Sequence, residues 1–152
     1  MKAEEMWNKY CKDPSISYDT WSFGGDPDHL AKLVAEGIKT ATCSAYIFYE
    51  LENEKLPEEG EYSVILDSQD EAVCIIKTTR VYIETYHNVS EQHAYKEGEG
   101  KRTLEEWRKI HEKFFTEELK SVNLEFNEDM KLVCEEFEVV YQQERAWKSV
   151  NF

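Results

Sequence analysis

Three segments rich in β-branched and aromatic residues lie between positions 62 and 86, and they limit the possible folds more than any other feature. Side chains of these types favour extended backbone, because they pack well on a pleated surface. A short polar turn, SQDE, separates the first two segments, as is typical of a connection between adjacent strands. The sequence therefore predicts neighbouring antiparallel strands from the segments YSVILD, AVCIIKTT and RVYIETY.

Helical patterns precede these strands. Apolar residues in the first eleven positions recur at helical spacing, and Pro14 then marks a stop. A second helix is predicted from about 27 to 36, because Asp26 can cap its first turn and Pro27 suits its first position. Gly37 is the type of residue that commonly follows the end of a helix. The segment SAYIFYELENE fits either a strand or one or two helical turns, and we favour the helix.

Two more helices and a final strand are predicted after these strands. The segment NVSEQHAYKEGEGKR indicates a short helix that is capped by Ser90 and ends in a glycine-rich loop. The clearest helix spans 103–119, where Thr103 and Glu106 make a capping box. Its apolar face carries Leu104, Trp107, Ile110, His111, Phe114 and Phe115. The segment KLVCEEFEVVYQ predicts a strand with four side chains on one face: Val133, Phe137, Val139 and Tyr141.

The order of these elements predicts an α+β fold. Helices come first, the central strands follow, and two helices separate those strands from the last one. We expect a mostly antiparallel sheet that curls toward a barrel, with the helices packed around it. A length of 152 residues suits a single domain, residues 1–152, with one sizeable core.

Charge and cysteine content restrict the partners. The chain has 32 acidic and 18 basic residues, so its net charge is -14. This negative charge opposes the phosphate contacts that dominate nucleic-acid binding. RNA would therefore need a local basic patch on the protein. A small, weakly charged ligand fits more easily. No apolar run can cross a bilayer, and the charged start lacks the apolar core of a secretory signal. We expect no membrane association, and four reduced thiols in a cytoplasmic protein.

One candidate site is the hexapeptide GIKTAT at 37–42. A hydroxyl attacks a carbonyl only if another group takes its proton, and a lysine whose pKa burial has lowered can do so. Lys39 and Thr42 are three positions apart, which a helical or turn conformation brings to one side. The alternative is a helix-ending glycine followed by a solvated lysine at the negative end of the helix dipole.

A second candidate is the segment YKEGEGKR at 95–102. Its two glycines let backbone approach a ligand closely and leave the carboxylates of Glu97 and Glu99 free to point inward. The alternative is an exposed acidic turn in which Glu99 or Arg102 serves the start of the next helix. The four histidines have no spacing typical of a metal site, and His111 is expected to pack beside Trp107.

Taken together, these segments resemble the larger members of the ASCH-domain family, from about Trp21 to Tyr141. The matching segments are SFGGDP, GIKTATCSAYIFYE, LPEEGEYSVILD, AVCIIKTTRV, AYKEGEG, WRKIHEKFF and DMKLVCEEFEVVY. The resemblance implies a PUA-like fold, a β-barrel with helices at its open side over a cleft. It also implies that the Gly-x-Lys-x-x-Thr motif of that cleft is formed here by Gly37, Lys39 and Thr42. Larger members usually have Asp where Lys101 stands.

The resemblance further implies an enzyme that needs no metal or cofactor. Small bacterial members are amidohydrolases that remove the acetyl group from 4-N-acetylcytidine. Their catalytic trio corresponds to Lys39, Thr42 and Glu97, with Thr42 as nucleophile, Lys39 as base and Glu97 orienting the lysine or water. The expected substrate-binding residues are Gly37, Thr40, Ser44, Trp21, Phe23, Tyr46, Glu99 and Arg102.

The resemblance leaves a second class of function open. Fold relatives bind RNA, and some relatives are described as ribonucleases. In an RNA- or nucleotide-binding module, Lys39 would stay charged and contact a phosphate. Trp21, Phe23 or Tyr46 would then stack on a base, although Trp21 and Phe23 are also typical of core or edge packing. A monomer and a dimer are both compatible with the sequence.

Overall fold

Five strands form one mixed sheet in the computed structural model, which describes residues 1–143. The strands are β1 (Asp19–Trp21), β2 (Ala41–Ala45), β3 (Tyr62–Leu66), β4 (Ala72–Thr85) and β5 (Lys131–Gln142). Their order in the sheet is β1-β3-β4-β5-β2. β1 runs parallel to β3 and the other three pairs are antiparallel, so the sheet is not antiparallel throughout. The sheet curls into a half-barrel, and most of the predicted tail after Tyr141 lies outside the described residues.

Five α-helices accompany the sheet among these residues. They are α1 (Ala3–Tyr10), α2 (Pro27–Ala35), α3 (Tyr46–Leu51), α4 (Glu91–Glu97) and α5 (Leu104–Lys120), and a 3-10 turn spans Tyr86–Asn88. Within residues 1–143, none of the helices combines the length and apolar character that crossing a membrane requires.

The helix ends follow the capping residues that the sequence predicts. A side-chain oxygen of Asp26 accepts a hydrogen bond from the backbone N–H of His29 at the start of α2. Ser90 does the same at the start of α4, and Thr103 at the start of α5. These side chains satisfy N–H groups that the first helical turn leaves without partners, so the boundaries of all three helices are confirmed within one residue or two.

Two of the predicted strands are a single strand in the structure. The segments AVCIIKTT and RVYIETY run together as β4, which pairs with β5 along most of its length. The pairing shifts between Thr78 and Arg80, so Thr79 is an extra residue that forms a bulge. The predicted boundary between these two segments is therefore a bulge within one strand.

The ambiguous segment SAYIFYELENE contains both structures that its sequence allows. Its first two residues complete β2, and α3 begins at Tyr46. Ala41 and Ala45 are buried where β2 pairs with β5, which favours the extended form there. The prediction of a helix is correct only from Tyr46 onward.

The helix α5 lies on the sheet as its apolar face predicts. Trp107, Phe115 and Leu119 are buried together with Leu132 and Cys134 of β5. Leu104 and Phe114 pack against the same cluster. A second buried cluster joins α2 to the sheet and includes Phe23, Leu30, Ile65, Ile76 and Phe137. The charged residues described next lie beside these two clusters.

Candidate functional site

A buried ion pair between Lys39 and Glu97 forms the centre of the candidate site. The ammonium Nζ of Lys39 lies 3.2 Å from Oε1 of Glu97 and also donates to the Glu97 backbone oxygen at 3.2 Å. Both side chains are only 1% exposed, although 58 positions separate them in sequence. Burial of two unit charges is costly unless they are paired, so the fold brings these residues together specifically.

Backbone contacts explain why the two residues meet. Gly37 takes a left-handed conformation after α2, with φ of 78°, and turns the chain toward α4. The backbone N–H of Thr40 then donates to the carbonyl oxygen of Lys96 at 2.7 Å. Glu97 is the last residue of α4, and Gly98 ends that helix with φ of 74°. The loop that carries Lys39 is therefore tied to the helix end that carries Glu97.

Three further side chains hold the Glu97 carboxylate. Oε2 accepts a hydrogen bond from Trp107 Nε1 at 2.8 Å and lies 2.7 Å from His93 Nε2. Oε1 lies 3.4 Å from Nε2 of His111, whose ring stacks on Trp107 with centroids 4.3 Å apart. The predicted packing of His111 beside Trp107 is confirmed, and the histidine also faces the charged centre.

Glu99 and Phe23 complete the surroundings of the lysine. Oε2 of Glu99 lies 3.2 Å from Lys39 Nζ, and the Glu99 side chain is 16% exposed. Glu99 lies between Gly98 and Gly100, which both have positive φ. The ring centroid of Phe23 lies 5.3 Å from Nζ on another side. Glu99 is thus the member of the group nearest to solvent.

The charges of this group stabilise one another. Burial alone would lower the pKa of Lys39, but the carboxylates of Glu97 and Glu99 outweigh it and raise that pKa. Burial would raise the pKa of Glu97, but Lys39 and His111 hold it well below its usual value. Burial likewise would lower the pKa of His111, and Glu97 raises it. Lys39 is therefore an ammonium in the resting protein, which disfavours it as the resting base.

Thr42 lies on β2 and does not contact this group. Side chains alternate between the two faces of a strand, so Thr42 and Cys43 point to opposite faces. The thiol of Cys43 is on the face near Glu97, where ligand atoms of the two residues lie within 4.8 Å of one another. Thr42 is half-buried and lies opposite Glu135 of β5. Its hydroxyl has no hydrogen-bond partner within residues 1–143.

The other predicted binding residues divide into two sets. Close to Lys39 are Phe23, Trp21, whose ring meets Phe23 edge-on at 4.8 Å, and Arg102, which donates to the Ile38 carbonyl oxygen at 3.1 Å. Farther along β2 and α3, Ser44 shares a hydrogen bond of 2.9 Å with the Tyr49 hydroxyl, and Tyr46 lies 5.6 Å from Lys131 Nζ. The structure brings Lys39, Glu97 and Glu99 into direct contact.

Sequence reasoning missed His93 and the indole of Trp107 as partners of Glu97. A signal was present, because His93 and Glu97 are four positions apart and so lie on one face of α4. The same spacing joins Trp107 to His111 on α5. His93, Trp107 and His111 all reach the Glu97 carboxylate from these two helices.

Among residues 1–143, two groups of side chains have donor atoms close enough for a metal ion. Ligand atoms lie within 4.8 Å of one another in each group: Glu97, Glu99 and His111, and Cys43, His93 and Glu97. In the first group, the Lys39 ammonium already supplies the positive charge that a cation would bring. In the second, burial raises the pKa of the Cys43 thiol well above its usual value, which disfavours a thiolate ligand. The arrangement fits an ion pair better than a metal.

Replacing Gly98 with alanine is expected to destabilise the protein more than the same change at Gly37. Both glycines have positive φ, a conformation that costs other residues about 1–2 kcal/mol. A Cβ at Gly98 would also lie 2.7 Å from the Ile38 carbonyl oxygen, whereas one at Gly37 would meet nothing within 4 Å. Chemical denaturation of both variants measures the difference. Equal losses of unfolding free energy would show that the close contact at Gly98 relaxes freely.

Comparisons with known proteins agree with this fold. The model of the ASCH domain family matches residues 19–141. The crystal structure of an ASCH domain from Lactobacillus crispatus JV V101 is 35% identical, covering 92% of this chain and 87% of that chain, with a TM-score of 0.79. The crystal structure of a protein from Enterococcus faecalis V583 is 41% identical, covering 90% and 84%, with a TM-score of 0.80. No curated protein matches the chain. Because the family model spans most of its length, the chain belongs to the ASCH-domain family.

Proposed function

We propose that the protein is a metal-independent amidohydrolase with a PUA-like fold that acts on an N-acylated nucleoside such as 4-N-acetylcytidine. The observation that carries this proposal is the buried Lys39–Glu97 pair, with an ammonium held in place by two carboxylates. A fixed cation in a low-dielectric site stabilises negative charge that develops in a reaction far better than a solvated one. The net charge of -14 also favours a nucleoside over a polynucleotide.

The proposed reaction uses Lys39 as a stabiliser of the oxyanion. Thr42 attacks the acyl carbonyl carbon, and the carbonyl oxygen gains negative charge that the Lys39 ammonium stabilises. The bound substrate must bridge the two residues, because Thr42 makes no contact with the Lys39 group in the resting protein. Glu97 keeps Lys39 charged and oriented, because the carboxylate is itself held by His93, Trp107 and His111. This role for Lys39 differs from that of the base expected from the resemblance, and the raised pKa of Lys39 is the reason.

Substrate binding requires the Glu99 side chain to move away from Lys39. Its carboxylate occupies one side of Lys39 Nζ, and the acyl oxygen would take its place. The glycines on both sides give the backbone of Glu99 the freedom for this movement. Trp21 and Phe23 lie on the other side, where an aromatic base could stack on an exposed part of Trp21.

The proposal is tested by incubating the purified protein with a panel of N-acylated nucleosides and detecting products by mass spectrometry. The wild-type protein is expected to release the free nucleoside and the carboxylic acid. Lys39→Met should lower kcat by about 10²- to 10³-fold, which is the usual cost of losing one oxyanion-stabilising group.

The matched control is Lys96→Met, because Lys96 carries the same charge at a 42% exposed position and pairs with Glu136. It should retain turnover near the wild-type rate. Turnover per folded molecule is compared, with the folded fraction taken from circular dichroism. Equal rates for Lys39→Met and wild type would contradict the proposed role of Lys39.

One observation favours the alternative of an RNA- or nucleotide-binding module, with or without ribonuclease activity. A cavity of about 460 Å³ is lined by residues that include Tyr95, Lys96 and Arg102, outside the buried pair. The Arg102 guanidinium lies 3.7 Å from the Tyr95 ring centroid, and Tyr95 is 56% exposed. If the wild type hydrolyses no acylated nucleoside but binds RNA with a steep salt dependence, this alternative is the correct one. A cytoplasmic location is part of either proposal, and the four free thiols support it.

A further inference from the structure

The proposed hydrolysis requires an acid that protonates the departing amine. When the C–N bond of an N-acylated nucleoside breaks, the nitrogen takes the electron pair and leaves readily only if it also gains a proton. Lys39 does not suit this role, because burial is outweighed by the carboxylates of Glu97 and Glu99, which raise its pKa above the ordinary value of 10.5. Another protonated group that faces the same part of the site is therefore needed.

Both ring nitrogens of His111 face hydrogen-bond acceptors. Nδ1 lies 2.9 Å from the backbone carbonyl oxygen of Trp107, which can accept a hydrogen bond but cannot donate one. Nε2 lies 3.4 Å from Oε1 of Glu97 and 4.0 Å from Oε2 of Glu99. Each nitrogen therefore needs a proton for its contact, and a histidine ring with two N–H groups is an imidazolium.

His93 provides a contrast on the other side of the Glu97 carboxylate. Its Nε2 lies 2.7 Å from Oε2 of Glu97, but its Nδ1 lies 3.2 Å from the hydroxyl group of Tyr82. A tyrosine hydroxyl can donate, so a single ring proton on Nε2 satisfies His93. Both histidines contact Glu97, but His111 needs two ring protons where His93 needs one.

The surroundings of His111 stabilise its second ring proton. The ring stacks on Trp107 of the same helix, and His111 is 7% exposed. Burial would lower the pKa of His111, but Glu97 of α4 and Glu99 of the following loop outweigh it and raise that pKa above 6.5. The Lys39 ammonium contacts the same two carboxylates from the loop before β2, so two cations and two carboxylates balance in charge.

The Glu99 carboxylate marks the place where a substrate would meet both cations. Its Oε2 lies 3.2 Å from Lys39 Nζ and 4.0 Å from His111 Nε2. An acyl oxygen that takes this place faces Lys39, and the amide nitrogen, about 2.3 Å from that oxygen, comes within reach of His111. We propose that His111 is the general acid that protonates the departing nitrogen, an inference that rests on the proposed amidohydrolase function.

The proposed steps balance without a cofactor. Thr42 attacks the acyl carbon, its proton passes to solvent water, and the carbonyl electron pair moves onto the oxygen that Lys39 stabilises. The C–N bond then breaks, its electron pair goes to the nitrogen, and the nitrogen takes the Nε2 proton of His111. Neutral His111 next accepts a proton from the water that attacks the threonyl ester. The carboxylic acid is released, and the Thr42 oxygen regains a proton from solvent.

The test compares His111→Gln with His29→Gln in hydrolysis of 4-N-acetylcytidine, or of another panel member that the wild type cleaves. His111→Gln should lower kcat/KM by about 10²-fold or more, because glutamine cannot transfer a proton to the amine. The control makes the same chemical change at an exposed histidine of α2, and it should stay within about twofold of wild type.

The pH dependence tests whether His111 acts through its proton. In the wild type, kcat/KM should fall as the pH rises through the raised pKa of His111, because the imidazolium is lost. Lys39 loses its proton only at higher pH, since its pKa is raised above 10.5. The fall should be absent in His111→Gln. In ¹⁵N NMR of the wild type, both ring nitrogens of His111 should be protonated at pH 6, and one should lose its proton in the pH range where kcat/KM falls.

A second substrate separates proton donation from a purely structural role. The leaving group of 4-nitrophenyl acetate is a stable phenolate, which departs without a proton. His111→Gln should therefore keep kcat/KM for this ester within about fivefold of wild type, although it loses activity on the amide. If His111 only held Glu97 in place, hydrolysis of the amide and of the ester would fall by the same factor.

The outcomes separate this inference from the proposed function. If the wild type is active and His111→Gln, with native circular dichroism, keeps the rate and the alkaline fall, or slows amide and ester equally, the role of His111 is refuted and the hydrolase stands. If His111→Gln loses structure, or if the wild type does not cleave the ester, the wild-type NMR titration decides. A titration of His111 that does not coincide with the fall in kcat/KM would refute the role. If the wild type cleaves no panel member, the proposed function fails and the inference fails with it.

Discussion

Replacing Glu97 with alanine is expected to lower the free energy of unfolding by about 3 to 5 kcal/mol. The change removes one of the two carboxylates that contact the Lys39 ammonium at 3.2 Å, and it removes the one that is itself 1% exposed. It also removes the acceptor of the Trp107 indole N–H and the partner of His93. A buried charge or donor without a partner costs far more than a lost contact at the surface.

Urea denaturation at pH 7 measures this loss, and Glu99→Ala is the matched control. Glu99 contacts the same ammonium at the same distance, but it is 16% exposed, so solvent compensates for its removal. The control should cost about 1 kcal/mol or less. A loss for Glu97→Ala as small as that for Glu99→Ala would show that the buried pair contributes little to stability.

The pH dependence gives an independent check on Glu97. Its pKa in the folded protein lies well below the ordinary value of 4.5, so its contribution to stability is complete above that value. The contribution is lost as the pH falls from 4.5 through the lower pKa of the folded state. Glu97→Ala should therefore lose less additional stability than the wild type over this acid range.

Replacing Thr42 with alanine is expected to lower kcat by about 10⁴-fold or more, because the proposed nucleophile is absent. Thr42→Ser keeps the hydroxyl and should retain measurable turnover. The fold should tolerate both changes, since Thr42 is half-buried and its hydroxyl has no hydrogen-bond partner within residues 1–143. The measurement is the rate of deacylation of the best panel substrate at pH 8.

A threonine outside the site provides the control for this substitution. Thr79→Ala makes the same chemical change at an exposed position in the bulge of β4, and it should leave the rate unaltered. Native turnover by Thr42→Ala would assign the attack to another group, such as a water molecule. Mass spectrometry of the quenched wild-type reaction should, in contrast, find an acyl group on Thr42.

The sequence predicts the helices better than the centre of the site, for a physical reason. Capping by Asp26, Ser90 and Thr103 depends on neighbours within three positions, which sequence displays directly. Lys39 and Glu97 lie 58 positions apart, so their contact depends on how the chain between them folds. Their proximity was expected only because of the family resemblance.

Local sequence patterns indicate neither how deeply a residue is buried nor which residue it faces across a sheet. The family resemblance placed Lys39 in a cleft, and in the structure α4, α5 and Phe23 surround it and leave it 1% exposed. That Thr42 lies opposite Glu135 follows from the pairing of β2 with β5, strands about 90 positions apart in the printed sequence. No spacing within either strand indicates which residue of the other it will face.

The strand order places β1 and β2 at the two edges of the sheet, where a second copy of the protein could add a strand. A sheet edge with unpaired backbone groups can recruit a strand from a second molecule, which leads to aggregation. The edge at β1 is only three residues long, and the edge at β2 is covered by α4, to which Thr40 is hydrogen-bonded. Because Glu97 helps to hold α4 in that position, loss of its carboxylate would uncover β2 and leave the unfolding protein prone to strand-mediated association.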